Sequence, residues 1–200
     1  MNHLMYRSAC LILLLGSGSV AWAVEKVQIF AVPYAADTKV ILSTLRVGQA
    51  FDLAVFVRDL RPRGTWTDPH GVAKELERGV YAAYVDVPID DTVTATTGGM
   101  KFGEAFANGR RLRLEANFVN DCGGFSAAFQ GTGTGAKELF RVRLKGVAPG
   151  TVVFAPSVVT LQRPECDTLV FGNLAADPPE PSYVAVEEVK ISAATVTVLP

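Results

Sequence analysis

Ala50-Phe51-Asp52-Leu53-Ala54-Val55-Phe56-Val57-Arg58-Asp59-Leu60 is the stretch on which the fold turns. Phe51, Leu53, Val55 and Val57 fall on one side of an extended chain, and Asp52, Phe56 and Arg58 fall on the other. That is a period of two, the pattern of a strand with one face against a core. Working outward, residues 111–118 repeat it, with Leu112, Leu114, Ala116 and Phe118 opposed to Arg111, Arg113, Glu115 and Asn117. Runs rich in β-branched and aromatic residues recur at 26–32, 40–47, 79–88, 139–147, 151–155, 168–171 and 189–199. Turn chemistry separates them: Val47-Gly48-Gln49, Asp90-Asp91, Thr97-Gly98-Gly99, Ala107-Asn108-Gly109, Ala148-Pro149-Gly150 and Asp177-Pro178-Pro179. The expectation is an all-β jelly-roll or β-sandwich of about nine strands. Helix is confined to a turn or two at 72–78, where Ala73, Lys74, Glu75, Leu76 and Glu77 are good helix formers. Two long loops are expected, at 61–78 and 120–136.

The first residues carry an address. Arg7 stands before the apolar run 11–15, and Ala21-Trp22-Ala23 has the small-x-small form that signal peptidase accepts. Residues 1–23 therefore read as a cleaved signal peptide, and 24–200 as a single β-sandwich domain that is secreted, extracellular or periplasmic. The apolar run is too short to span a bilayer core, which needs about 20 residues, so no membrane anchor is expected. With 19 Lys and Arg against 20 Asp and Glu, no nucleic-acid partner is expected either. Cys10 leaves with the signal. Cys122 and Cys166 remain as an even pair in an oxidising compartment and are expected to form a disulfide, worth about 4 kcal/mol in the chain-entropy model.

Three segments resemble the bacterial cohesin domain. They are Leu45-Arg46-Val47-Gly48-Gln49-Ala50 running into the alternating strand to Val57, Gly79-Val80-Tyr81-Ala82-Ala83-Tyr84-Val85-Asp86-Val87-Pro88-Ile89-Asp90, and 137–151 from Lys137-Glu138-Leu139-Phe140 to Pro149-Gly150-Thr151. Each fits its expected place physically. Gly48 can take the positive φ of the turn before a strand, and the small Ala82 and Ala83 permit close sheet approach. The resemblance implies a cohesin-like sandwich without catalysis, engaging a dockerin-type protein module or a polysaccharide outside the cytoplasm. It also implies that one sheet face docks the partner. Here that would be the strands at 79–88 and 111–118, with Tyr84, Arg111 and Arg113 as contacts.

Other chemistry finds less support in the residues. His70, between Pro69 and Gly71, is the one histidine left after the signal, and a lone loop histidine lacks the orienting acid of a triad. Asp86, Asp90, Asp91 and Glu104 could be imagined as glycosidase carboxylates, but turn and rim roles account for them. Asp90 and Asp91 with Thr92 offer hard oxygens to calcium, against the plainer reading that Asp90 caps its own turn. No metal and no cofactor is required by any motif. The Gly131-Thr132-Gly133-Thr134-Gly135 run lacks the Lys-Ser/Thr close of a phosphate loop. Trp66 is the best candidate for stacking on a sugar ring, and burial as a plug over the end of the sandwich is its other reading. The competing function is a structural or adhesive envelope or matrix subunit joined through a sheet edge or the segment 189–200. A polysaccharide hydrolase is the remoter alternative.

Overall fold

Alternating burial builds the first strands: β1 (Val27–Ala35), β2 (Thr44–Arg46) and β3 (Ala50–Asp59). In β3, Phe51, Leu53 and Val55 are fully enclosed, each worth roughly 1.5–3 kcal/mol of apolar burial. The computed structural model describes residues 24–76, 78–126, 131–159, 169–170 and 182–200. The expected signal at 1–23 and the proline-rich turn at 177–179 lie outside the described residues. A hairpin of β4 (Thr65–Thr67) and β5 (Ala73–Glu75) follows, then β6 (Val80–Pro88), β7 (Thr94–Phe102), β8 (Asn108–Leu114) and β9 (Phe118–Phe125). The rest are β10 (Lys137–Gly146), β11 (Gly150–Phe154), β12 (Ser157–Val158), β13 (Leu169–Val170), β14 (Ser182–Tyr183), β15 (Val189–Ser192) and β16 (Ala194–Leu199).

Two large sheets carry most of these strands. One has the order β15-β1-β3-β10-β7; the other runs β14-β13-β6-β9-β8, with β12 also against β6. A smaller sheet, β11-β16-β2, completes the strand layers. Inward residues of both large sheets share one apolar cluster, in which Phe51, Leu53 and Val55 of β3 join Ala83, Val85 and Val87 of β6 and Phe140, Val142 and Leu144 of β10. The all-β sandwich is therefore as expected, with 16 short strands among the described residues instead of about nine, because hairpins and two-residue pairings add to the principal ones.

Several local expectations are corrected. The alternating run 111–118 is not one strand. β8 ends at Leu114, the chain reverses with the Glu115 N–H donating to the Phe118 carbonyl at 2.8 Å, and β9 starts at Phe118. The reversal puts β9 between β6 and β8, where Val119 and Cys122 are buried, and leaves Leu112 on the edge strand 49% exposed. Much of the expected loop at 120–136 is thus β9. Thr97-Gly98-Gly99 does not turn but lies inside β7 as a bulge, between the pairs Val142↔Met100 and Leu144↔Thr96. The helix formers Ala73, Lys74 and Glu75 are a strand, because pairing with Thr65–Thr67 and an Asp68-centred turn overrides a weak local propensity. The run 40–47 supplies only β2, and 189–199 divides between β15, parallel to β1, and β16 in the small sheet. Among the described residues the helical element is a single 3-10 turn, Val186–Glu188, and no helix is long and apolar enough to cross a membrane.

Cys122 is a free thiol, fully buried, with its Sγ 3.3 Å from the Arg111 carbonyl. Burial first, and the neighbouring Asp121 charge second, push that thiol up to about 12. The expected bond to Cys166 is not seen at Cys122, which faces the apolar core between the sheets; Cys166 itself lies outside the described residues.

Candidate functional site

The four binding residues read from the sequence do not form one surface. Tyr84 projects from β6 away from the main core but is 1% exposed, enclosed in a second apolar cluster with Ala82 and Val159. Its hydroxyl donates to the Gly109 carbonyl at 2.7 Å. As a contact for a partner Tyr84 is corrected: its ring and its hydroxyl are both spent on tying β8 to β6. Arg111 and Arg113 do sit together on the edge strand β8. Arg111 Nη1 lies 3.1 Å from Asp121 Oδ2, and Arg113 Nε lies 2.9 Å from Glu115 Oε1 with its side chain 72% exposed. Trp66 is elsewhere, half-buried in the β4–β5 hairpin with Lys74 Nζ 5.7 Å from the ring centroid. That hairpin stands apart from both large sheets.

The remaining candidates have structural employment. Asp68 Oδ1 accepts the backbone N–H groups of His70 and Val72, both at 2.9 Å, and the histidine is exposed on that turn, with no carboxylate bonded to its ring among the described residues. Asp90 Oδ1 accepts from the Thr92 N–H at 3.0 Å and the Thr92 hydroxyl at 2.5 Å, which keeps its carboxyl below the ordinary range. That is the turn-capping role. Asp91 is exposed beside it. Asp86 Oδ1 accepts the Asp121 N–H at 2.7 Å and so supports Asp121 in its left-handed backbone, φ 48.

A larger feature, which the sequence reading did not single out, lies on the outer face of β3, β10 and β7. It is an open groove of about 1240 Å³. Its floor is an arginine–aspartate lattice. Asp52, outward on β3 but only 3% exposed, accepts from the Nε and Nη2 of Arg143, and Arg141 Nη1 stands 3.8 Å from it. Arg143 also reaches Asp37 Oδ1 at 2.6 Å, and Arg141 reaches Glu138 Oε2 at 2.7 Å. The hydrogen bond and charge of Arg143 hold the Asp37 carboxyl below its usual range; hydrogen bonds to Asp52 and then Asp37 raise Arg143 in return. Arg141 is also steadied from the side, 4.9 Å from the ring of Tyr34.

Backbone geometry raises the walls. Asp37, at φ 59, turns the chain after β1 and donates its N–H to Asp52 Oδ2 at 3.0 Å, which draws the segment 37–39 over the sheet. The Thr97–Gly99 bulge faces it, and Gly98 lies so close to Arg143 that a Cβ would sit 3.2 Å from the arginine Cβ. Gly103 allows the third wall: a Cβ there would meet the Glu138 carbonyl at 1.7 Å. The available signal was the alternation Arg141-x-Arg143-x-Lys145 in a strand whose other face is apolar.

No protein-family model and no curated relative matches the chain. Solved structures similar to it include a non-cellulosomal cohesin from the hyperthermophilic archaeon Archaeoglobus fulgidus, 11% identical with TM-score 0.48, covering 88% of this chain and 92% of that one. A type II cohesin domain from the cellulosome of Acetivibrio cellulolyticus is 15% identical with TM-score 0.45, over 86% and 95%. A cohesin module from a Clostridium perfringens family 33 glycoside hydrolase is 12% identical with TM-score 0.44, over 86% and 97%.

Proposed function

We propose that this chain is a secreted, non-catalytic binding module of cohesin-like build that engages a protein partner of the dockerin type through the outer side of β8 and β9. The observation that carries this reading is the pairing of Arg111 and Arg113 on one edge strand with Asp121 and Glu115, beside an exposed Leu112. Half-exposed ion pairs of this kind are worth about 0–1 kcal/mol, so a partner surface can exchange them for its own pairs at little cost. The platform beneath them is closely packed. Tyr84 bonds Gly109, and Gly123 lets β9 approach Ala83 more closely than any side chain would permit.

The test is calorimetric titration of the full chain with dockerin-type modules bearing duplicated calcium loops. The double variant Arg111→Ala/Arg113→Ala is expected to bind at least about ten-fold more weakly, which corresponds to about 1.4 kcal/mol. Binding to every such module unchanged by the double variant, with the fold intact by circular dichroism, would remove this face from consideration.

A further inference from the structure

The groove on the opposite large sheet, behind β3, β10 and β7, is not used by that reading. We infer that it is a binding site for an acidic polysaccharide, a uronate-type chain whose carboxylates pair with Lys39, Lys101 and Lys137.

Charge separates the rim from the floor. On the floor, Asp37, Asp52 and Glu138 are engaged by Arg141 and Arg143, so the lattice nearly neutralises itself. On the rim, Lys39 and Lys101 are exposed and Lys137 half-buried, and none of the three forms an ion pair among the described residues. Lys101 is near enough to Asp37 to help lower its pKa, though as the least of the causes. With the exposed Glu104 also at the rim, the lining holds five cations against four carboxylates, an excess of positive charge that three lysines outside the ion-pair lattice present to a polymer with repeated negative charge.

The floor discriminates between kinds of polyanion. An acidic peptide laid on a sheet gains affinity from an open strand edge or from apolar pockets for its side chains. Here β3 is paired on both sides, by β1 and β10, and β10 on both sides, by β3 and β7; the edge strand β7 carries the Thr97–Gly99 bulge, which interrupts the regular backbone an added strand would need. Their outward side chains at the groove are charged. Vicinal hydroxyls instead need donors and acceptors held side by side, which Arg143 between Asp37 and Asp52 supplies in fixed geometry. Asp37, with its side chain 76% exposed, keeps lone pairs beyond those given to arginine, while the buried Asp52 fixes Arg143 from behind. At about 1240 Å³ the groove exceeds the roughly 300–1,000 Å³ of a small-molecule site, as an open trough for several consecutive rings should.

The experiment titrates the full chain with polygalacturonate, neutral dextran and poly-glutamate. Binding to polygalacturonate is expected, weakened strongly in about 1 M salt, where the screening length falls to about 3 Å. The triple variant K39E/K101E/K137E should lose at least about ten-fold in affinity, while Arg111→Ala/Arg113→Ala leaves it unchanged. Should the triple variant not fold, Lys101→Gln alone is expected to cost about three-fold, the size of one exposed charge pair. Failure to bind polygalacturonate, equal binding of poly-glutamate, or indifference to the lysine substitutions overturns the proposal. Because Lys101 and Lys137 lie on one large sheet, with Lys39 in the segment beside them, and the two arginines lie on the other, loss of either activity leaves the other to be judged separately.

Discussion

Asp59, at the end of β3, is the buried carboxylate on which the 61–78 loop depends. It is 3% exposed, accepts from Arg61 Nη2 and from the Gly79 N–H, both at 2.8 Å, and also takes the Arg61 backbone N–H at 2.9 Å. Burial by itself would raise this carboxyl, but the hydrogen bonds from Arg61 and Gly79 together outweigh it and hold the group below the usual carboxylate range. A lowered folded-state pKa means stability that is present above the unfolded value of about 4 and is lost as the pH falls through the folded value. Urea unfolding as a function of pH should therefore show a steep acid limb, and Asp59→Asn should flatten it. Asp59→Ala is expected to cost about 3 kcal/mol near neutrality, since it strands a buried N–H and a guanidinium. The alternation in β3 shows Asp59 in line with the inward positions, and nothing in the sequence says that Arg61 and Gly79, the latter twenty residues further along the chain from Asp59, converge on it.

The β6–β9 pair shows how an element depends on a missing side chain. A Cβ on Gly123 would stand 1.9 Å from the Ala83 carbonyl oxygen, so the two strands meet only because position 123 is bare. Gly99, in the β7 bulge, has nothing within 4 Å of its would-be Cβ and no positive φ. Thermal and urea unfolding should accordingly separate two similar changes: Gly123→Ala losing about 3 kcal/mol and Gly99→Ala staying within about 0.5 kcal/mol. Sequence reading took both glycines as loop or turn residues. A glycine in a strand is locally a poor strand former, and its compensation comes from a neighbour distant in chain, which periodicity cannot detect. The same limit explains why 111–118 read as one strand: alternation continues through Glu115, Ala116 and Asn117, and the reversal there is decided by the burial β9 gains between two neighbours.

The two large sheets turn opposite outer faces to solvent, and the two proposed surfaces lie one on each. Substitutions far apart without shared partners add to within roughly 0.3–0.5 kcal/mol. A chain carrying both the β8 arginine changes and the rim lysine changes should thus lose each binding activity by the same factor as the separate variants, as competition titrations with both ligands present will read. Coupling beyond that margin would mean that the sandwich transmits strain between its faces. The residues alone determined the class of fold, because a period of two in β3 and β10 leaves one apolar face per strand, and in a sequence almost without amphipathic helix such faces are left to cover one another. They put Arg111 and Arg113 on the polar face of one strand, and the sheet order then makes that strand, β8, an edge. Only the tertiary structure decided that Tyr84 is covered by Val159 and Ala82, that Cys122 is a buried thiol, and that Asp37, Asp52, Arg141 and Arg143 build a groove floor. The reason is physical. Alternation is a property of neighbours in chain, whereas a covered ring or a lattice of charges is made by strands whose pairing brings residues about a hundred positions apart into contact.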